Sequence, residues 1–168
     1  MKKIAPLILI AVLLLGYFIF GTQGLRPAPA ISMTSLAGIN IETLKRNNKP
    51  LLITFWATTC SSCVKEMPHL VDMQNRLADK IDIAGVAMYY DNIDHVKEMV
   101  KRRGLNYHIV TDRSGKIAEA FGNIRITPTS FLISADGQII YQKIGDIDFE
   151  KVEKAIGLYS KDNQHAMG

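Results

Sequence analysis

From Pro50 to Ala57 the chain passes through eight residues without a charge, Pro-Leu-Leu-Ile-Thr-Phe-Trp-Ala. A continuous apolar run of this length is the pattern of a strand covered on both faces, as in the middle of an α/β sheet. Three residues later come the only two cysteines of the 168-residue chain, in the order Cys60-Ser61-Ser62-Cys63. They open a predicted helix, Ser61 to Asp79, whose Val64, Met67, Leu70, Val71 and Leu77 fall on one side. A buried strand that feeds directly into a cysteine-bearing helix start admits few folds.

The rest of the pattern extends the same theme. Ile81 to Tyr89 reads as a second buried strand, and Asp94 to Arg103 as a helix stopped by Gly104. Tyr107 to Val110 is a short strand and Gly115 to Phe121 a short helix. Thr129 to Ser134 and Gln138 to Ile144 are strands joined by the turn signal Ala135-Asp136-Gly137, and Phe149 to Ile156 is a last helix. Ile41 to Asn47 is expected to make one or two helical turns. The order β-α-β-α-β-α-β-β-α implies an α/β sandwich with a mixed central sheet flanked by helices, its final hairpin antiparallel.

The amino terminus addresses the compartment. Lys2 and Lys3 precede seventeen uncharged residues, Ile4 to Phe20, broken only by Pro6. At about 1.5 Å per residue this run spans about 25 Å, near the lower limit for crossing a bilayer. The positive charge lies before it, so the positive-inside rule puts the amino terminus in the cytoplasm and the rest outside. Ala28-Pro29-Ala30 fits a signal-peptide cleavage site but stands ten residues beyond the apolar run, a spacing that favours an uncleaved anchor. The expected organisation is a cytoplasmic start and transmembrane anchor over 1–24, a linker over 25–30, a folded domain over 31–158 and a polar tail over 159–168. The expected location is the inner membrane, single-pass, with the domain facing the periplasm or its Gram-positive equivalent. Net charge argues for nothing further: of 20 Lys+Arg against 16 Asp+Glu, Lys2 and Lys3 belong to the span, leaving 18 against 16. The one basic cluster, Lys101-Arg102-Arg103, ends a helix, where cations suit the dipole, so no nucleic-acid partner is expected.

The cysteines carry the chemistry. A helix start offers unpaired N–H groups and the positive end of the dipole, and both favour a thiolate over a thiol. The first cysteine is the better placed, so Cys60 is assigned as the nucleophile and Cys63, one turn inward, as the resolving thiol. Three other uses compete. A structural disulfide over two intervening residues restrains little unfolded-chain entropy. Structural zinc needs about four ligands, and His69, His95, His108 and His165 are scattered without ligand spacing. A copper site made of two thiols and a histidine stays open.

The segment Phe55-Trp56-Ala57-Thr58-Thr59-Cys60-Ser61-Ser62-Cys63-Val64-Lys65-Glu66-Met67-Pro68 resembles the active-site segment of the TlpA/ResA/DsbE group of membrane-anchored thioredoxin-fold thiol–disulfide oxidoreductases. The likeness continues at Ile126-Thr127-Pro128-Thr129-Ser130-Phe131-Leu132-Ile133 and at Asp136-Gly137, covering about residues 28 to 157. It implies a thioredoxin-like fold, with Pro128 as a cis-proline opposite the cysteines and the Thr127 backbone turned toward substrate. Trp56, Thr127 and Pro128 are the implied substrate-contacting residues, Glu66 the acid that accepts the Cys63 proton, and Pro68 a helix-kinking residue. His69, Tyr89, Tyr90 and Asp91 are candidates to border the site. Two departures stand out: Ser61 and Ser62 lie where family members often carry proline, and Thr54 lies where cytosolic thioredoxins carry a buried Asp. The resemblance implies a monomeric reductase of protein disulfides, with clients such as apocytochrome c or copper-site proteins. Its electrons would come from a membrane thiol donor of the DsbD/CcdA type, with no cofactor beyond the Cys60–Cys63 disulfide and no metal. The alternatives carried with it are a disulfide oxidase or isomerase using the same site, and a copper-binding chaperone.

Overall fold

The computed structural model describes residues 26–44 and 48–166, with side chains as far as Gly157. In chain order it holds β1 (Arg26–Pro27), β2 (Ser32–Thr34), β3 (Asn40–Glu42), β4 (Leu51–Trp56), α1 (Ser61–Leu77), β5 (Asp82–Ala87), α2 (Ile93–Arg103), β6 (His108–Thr111), α3 (Lys116–Ala120), β7 (Thr129–Ile133), β8 (Gln138–Ile144) and α4 (Phe149–Ala166). Six strands form one sheet in the order β1-β8-β7-β4-β5-β6, and β2 pairs with β3 in a separate ribbon. β4, β5 and β6 run parallel, while β7, β8 and β1 are antiparallel to their neighbours. This is the mixed sheet that the element order implies.

The continuous apolar run of β4 has a direct cause. Alternate side chains of a strand point to opposite faces, and here both faces are covered. Leu52 and Trp56 join the core beneath α1, α2 and α4, together with Met67, Leu70, Val96 and Val152. Leu51, Ile53 and Phe55 join the other, with Met33, Ile41, Phe121 and Phe131. Thr54, the polar residue of the run, is 2% exposed and accepts a hydrogen bond from Ser130 on β7 at 3.0 Å.

Gly85 in β5 answers to close approach. A Cβ there would lie 3.0 Å from Tyr107 Cε2 and 3.1 Å from Trp56 Nε1. Overpacking of this kind costs about 1–3 kcal/mol, so Gly85→Ala is expected to lower the urea midpoint accordingly. An unchanged midpoint would show that the two rings have room to move.

Several elements differ from the sequence pattern. The helical turns expected over Ile41–Asn47 are absent as far as they are described: Asn40–Glu42 pairs with β2 as a strand, and residues 45–47 lie outside the described part. Met33 and Ile41 are buried opposite one another, and that pairing outweighs local preference. Arg26–Pro27, within the segment read as linker, pairs with β8, and Ala28 is buried. α4 runs on to Ala166, past the expected end at Ile156 and through the segment read as a polar tail. The apolar run Ile4–Phe20 lies outside the described residues, and among those described no helix is long and apolar enough to cross a membrane.

Candidate active site

Every element that builds the site ends at one edge of the sheet. Trp56, the last residue of β4, pairs with Ala87, the last of β5. Thr129 at the start of β7 pairs with Phe55 and with Ile144 at the end of β8. The turns that leave these ends therefore share one surface.

The first turn carries the cysteines. The Cys60 N–H donates to the Ala57 carbonyl, and Cys60 then serves as N-cap of α1 in extended conformation. Its Sγ accepts the Cys63 N–H at 3.2 Å and lies 3.5 Å from the Ser62 hydroxyl. Sulfur thus stands where a capping oxygen ordinarily does, facing orphan donors that stabilise negative charge. Cys60 and Cys63 are joined as a disulfide, with Cys60 half-buried and Cys63 3% exposed. Of the two sulfurs, that of Cys60 is the one that an incoming thiol or disulfide can reach.

Glu66 lies one turn beyond Cys63 on the same helix and is 6% exposed. Burial pushes its carboxyl up to about 7, against the Ile147 N–H that its carboxylate accepts and with the Asp146 carboxylate adding to the rise. The group therefore changes protonation near neutral pH, as a general base for a thiol requires. Two phenols share its surroundings. Burial pushes the Tyr107 hydroxyl up, and the Glu66 charge adds to that. Burial also raises Tyr141, whose hydroxyl accepts the Asp148 N–H at 3.0 Å. A pocket of about 240 Å³ opens beside Glu66, lined by Ser62, Lys65, His69, Asp146, Ile147 and Phe149. The His69 and Phe149 rings meet at a tilt of 45°, 5.4 Å between centres.

Trp56, read as substrate-contacting, is 3% exposed and packs in the core with Cys63 and Tyr107, beneath the pair. The Thr127–Pro128 peptide bond is cis. Pro128 is buried and its carbonyl accepts the Gly145 N–H at 2.8 Å, while the Thr129 hydroxyl donates to the Ile126 carbonyl at 2.7 Å. Thr127 itself is half-buried, and its backbone hydrogen-bonds to none of the described residues.

Asp91, which the sequence marks only as a neighbour, has a definite task. Its carboxylate accepts the Thr58 N–H and the Thr58 hydroxyl, each at 2.6 Å, tying the turn after β5 to the turn that holds Cys60. Ile147, Tyr107 and Tyr141 have no signal in the sequence. Among the described residues no group of three or more His, Cys, Asp and Glu side chains is gathered to hold a metal ion.

Residues 25–156 match the Redoxin family. The chain is 33% identical over 130 residues, covering 77% of it and 74% of the relative, to the thiol–disulfide oxidoreductase ResA of Bacillus thuringiensis subsp. konkukian. Its fold is similar to that of a thiol:disulfide interchange protein of the thioredoxin family from Chlorobium tepidum (TM-score 0.70, 27% identity, covering 79% of this chain and 97% of that one). It is also similar to StoA from Bacillus subtilis (TM-score 0.67, 26% identity, 77% and 98%).

Proposed function

The chain belongs to the Redoxin family and is a thiol–disulfide oxidoreductase of the ResA/DsbE type, and on that premise we propose that it works as a tethered reductase of protein disulfides outside the cytoplasm. The observation that carries the reading is the asymmetry of the pair. An accessible Cys60 caps a helix, and a buried Cys63 is followed one turn later by a buried acid that titrates near 7. The reduced domain attacks a client disulfide with the Cys60 thiolate, forming a mixed disulfide and releasing one client sulfur as a thiolate. Glu66 takes the Cys63 proton, and the Cys63 thiolate attacks the Cys60 sulfur. The client leaves with two thiols, and its two electrons have come from the pair, now oxidised to Cys60–Cys63. The unbonded backbone of Thr127 beside Pro128 supplies a short edge on which an extended client segment can pair.

Direction and partner follow from compartment. In this reading Ile4–Phe20 anchors the domain to the inner membrane, facing the periplasm. A lone pair in an oxidising space drifts to the disulfide unless electrons are fed to it. A tether keeps it concentrated beside a membrane thiol donor of the DsbD/CcdA type. Clients of the cytochrome c maturation kind fit such a reductase.

The test is thiol trapping in growing cells with a maleimide that does not cross the inner membrane. Cys60, the reachable thiol, is expected to be labelled in intact cells, and to become protected, bonded to Cys63 as the disulfide, when the membrane thiol donor is removed. A pair found mainly oxidised in wild-type cells, with secreted proteins losing disulfides on deletion of the gene, would sink the reductase in favour of an oxidase.

A further inference from the structure

Two large apolar side chains stand exposed side by side on the redox edge. Tyr89 and Tyr90 are 58% and 53% exposed, and their rings meet edge to face at 5.3 Å. They occupy the turn after β5, and this turn is fastened to the cysteine loop. The Met88 N–H donates to the Trp56 carbonyl at 3.0 Å, and Asp91 holds both the N–H and the hydroxyl of Thr58, two residues before Cys60. A third turn borders Tyr89. Gly115, at φ +72°, lies alongside Tyr89: a Cβ there would be in ordinary van der Waals contact with it, 3.5 Å from Cδ1. An exposed aromatic on a fastened turn and packed against a second ring has less freedom left to lose on binding, which is the property that makes tyrosines effective contact residues. On the β7 side of the same edge stands Ile126, 60% exposed, next to Thr127.

We propose that Tyr89 and Tyr90 form a docking ledge for the polypeptide that carries the client disulfide, with Asp91 as the positioning residue that fixes the ledge relative to Cys60. The inference rests on the preceding reading that Cys60 exchanges with protein disulfides, and it adds a basis for selecting them. The occupant follows from continuity. The ledge adjoins the surface on which the attacked disulfide must sit, so a chain paired at Thr127 and attacked at Cys60 continues toward the tyrosines. The ledge fits an extended segment with apolar or aromatic side chains flanking its cysteine, since ring pairs of this kind favour edge and stacked contacts. A small disulfide reacts at Cys60 without reaching it.

The reduced full-length protein is to be mixed in detergent with insulin, as the polypeptide disulfide, and separately with 5,5′-dithiobis(2-nitrobenzoic acid), as the small one. The readout is the ratio of the two second-order rate constants. In the double variant Tyr89→Ala, Tyr90→Ala this ratio is expected to fall about tenfold. Tyr90→Ala alone, which leaves Tyr89 and its turn in place, should move it in the same direction, as should Asp91→Ala. A ratio within about twofold of wild type in the double variant and in Tyr90→Ala overturns the ledge, including the case in which both rate constants fall together. A wild-type protein that reacts with the small probe and not with insulin overturns both the ledge and the reading beneath it.

Discussion

In a Cys63→Ser variant, clients are expected to accumulate on Cys60 as mixed disulfides that survive an acid quench, and turnover of a polypeptide disulfide to fall to the uncatalysed level. The reason lies in the unequal positions of the two sulfurs. Cys60 sits at the mouth of α1 with its Sγ accepting a backbone N–H, so its thiolate is both stabilised and reachable. Cys63 is 3% exposed and its role begins only after a client sulfur has been delivered to its neighbour. Without Cys63 the first exchange still proceeds, and the intramolecular attack that breaks the mixed disulfide is lost. A serine hydroxyl cannot replace it, because it is not ionised near neutral pH. Cys60→Ser, by contrast, leaves only the buried thiol, and no adducts should form. Non-reducing gels of cells expressing each variant read the outcome. Adducts on Cys60→Ser and none on Cys63→Ser would reverse the assignment.

The same asymmetry is legible in the amino-acid sequence. Cys60, Cys63 and Glu66 lie on one helix start, so their relation is a matter of helical spacing, which a sequence displays. The β4 run is legible because two covered faces leave no polar alternation. The turn Ala135-Asp136-Gly137 is legible because it joins two apolar segments at hairpin spacing. The partners that tune the site arrive from far along the chain. Ile147 bonds to Glu66 across 81 residues and Asp91 to Thr58 across 33, and nothing local marks either. β1, β2 and β3 are two or three residues long, too short to show a period of two, and Ile41 followed by Leu44 imitates a helical face. The extent of α4 is hidden for a different reason. Gly157 lowers helix propensity by about 1 kcal/mol relative to alanine, a cost that the helix absorbs rather than a stop.

Glu66→Gln is expected to separate what this residue does for the reaction from what it does to the fold. In the oxidised protein its carboxyl titrates at about 7, against 4.5 for an unperturbed glutamate. Below about pH 4.5 the acid is protonated in the folded and the unfolded chain alike, and contributes no pH dependence. Between 4.5 and 7 the unfolded chain releases the proton while the folded one keeps it, so stability falls as pH rises. Above about 7 the folded protein carries a buried charge and the loss is complete. The full shift would correspond to about 3 kcal/mol, and the pocket beside Glu66, which admits solvent to screen the charge, reduces it to about 2 kcal/mol. Glutamine keeps an oxygen for the Ile147 N–H and removes the charge. The variant should therefore equal wild type near pH 4 and exceed it by that amount near pH 8, in urea unfolding of the oxidised form. Activity should move the other way. Reduction of a polypeptide disulfide at pH 7 should slow on the order of 10²-fold, and the rise of rate with pH near 7 should disappear, because the Cys63 proton has lost its acceptor. A merely structural Glu66 would leave the pH–rate profile in place. A solvated acid would leave stability at pH 8 unchanged as well. Gain of stability together with loss of rate is the signature of an acid kept buried, at a cost to the fold, for the sake of the resolving thiol.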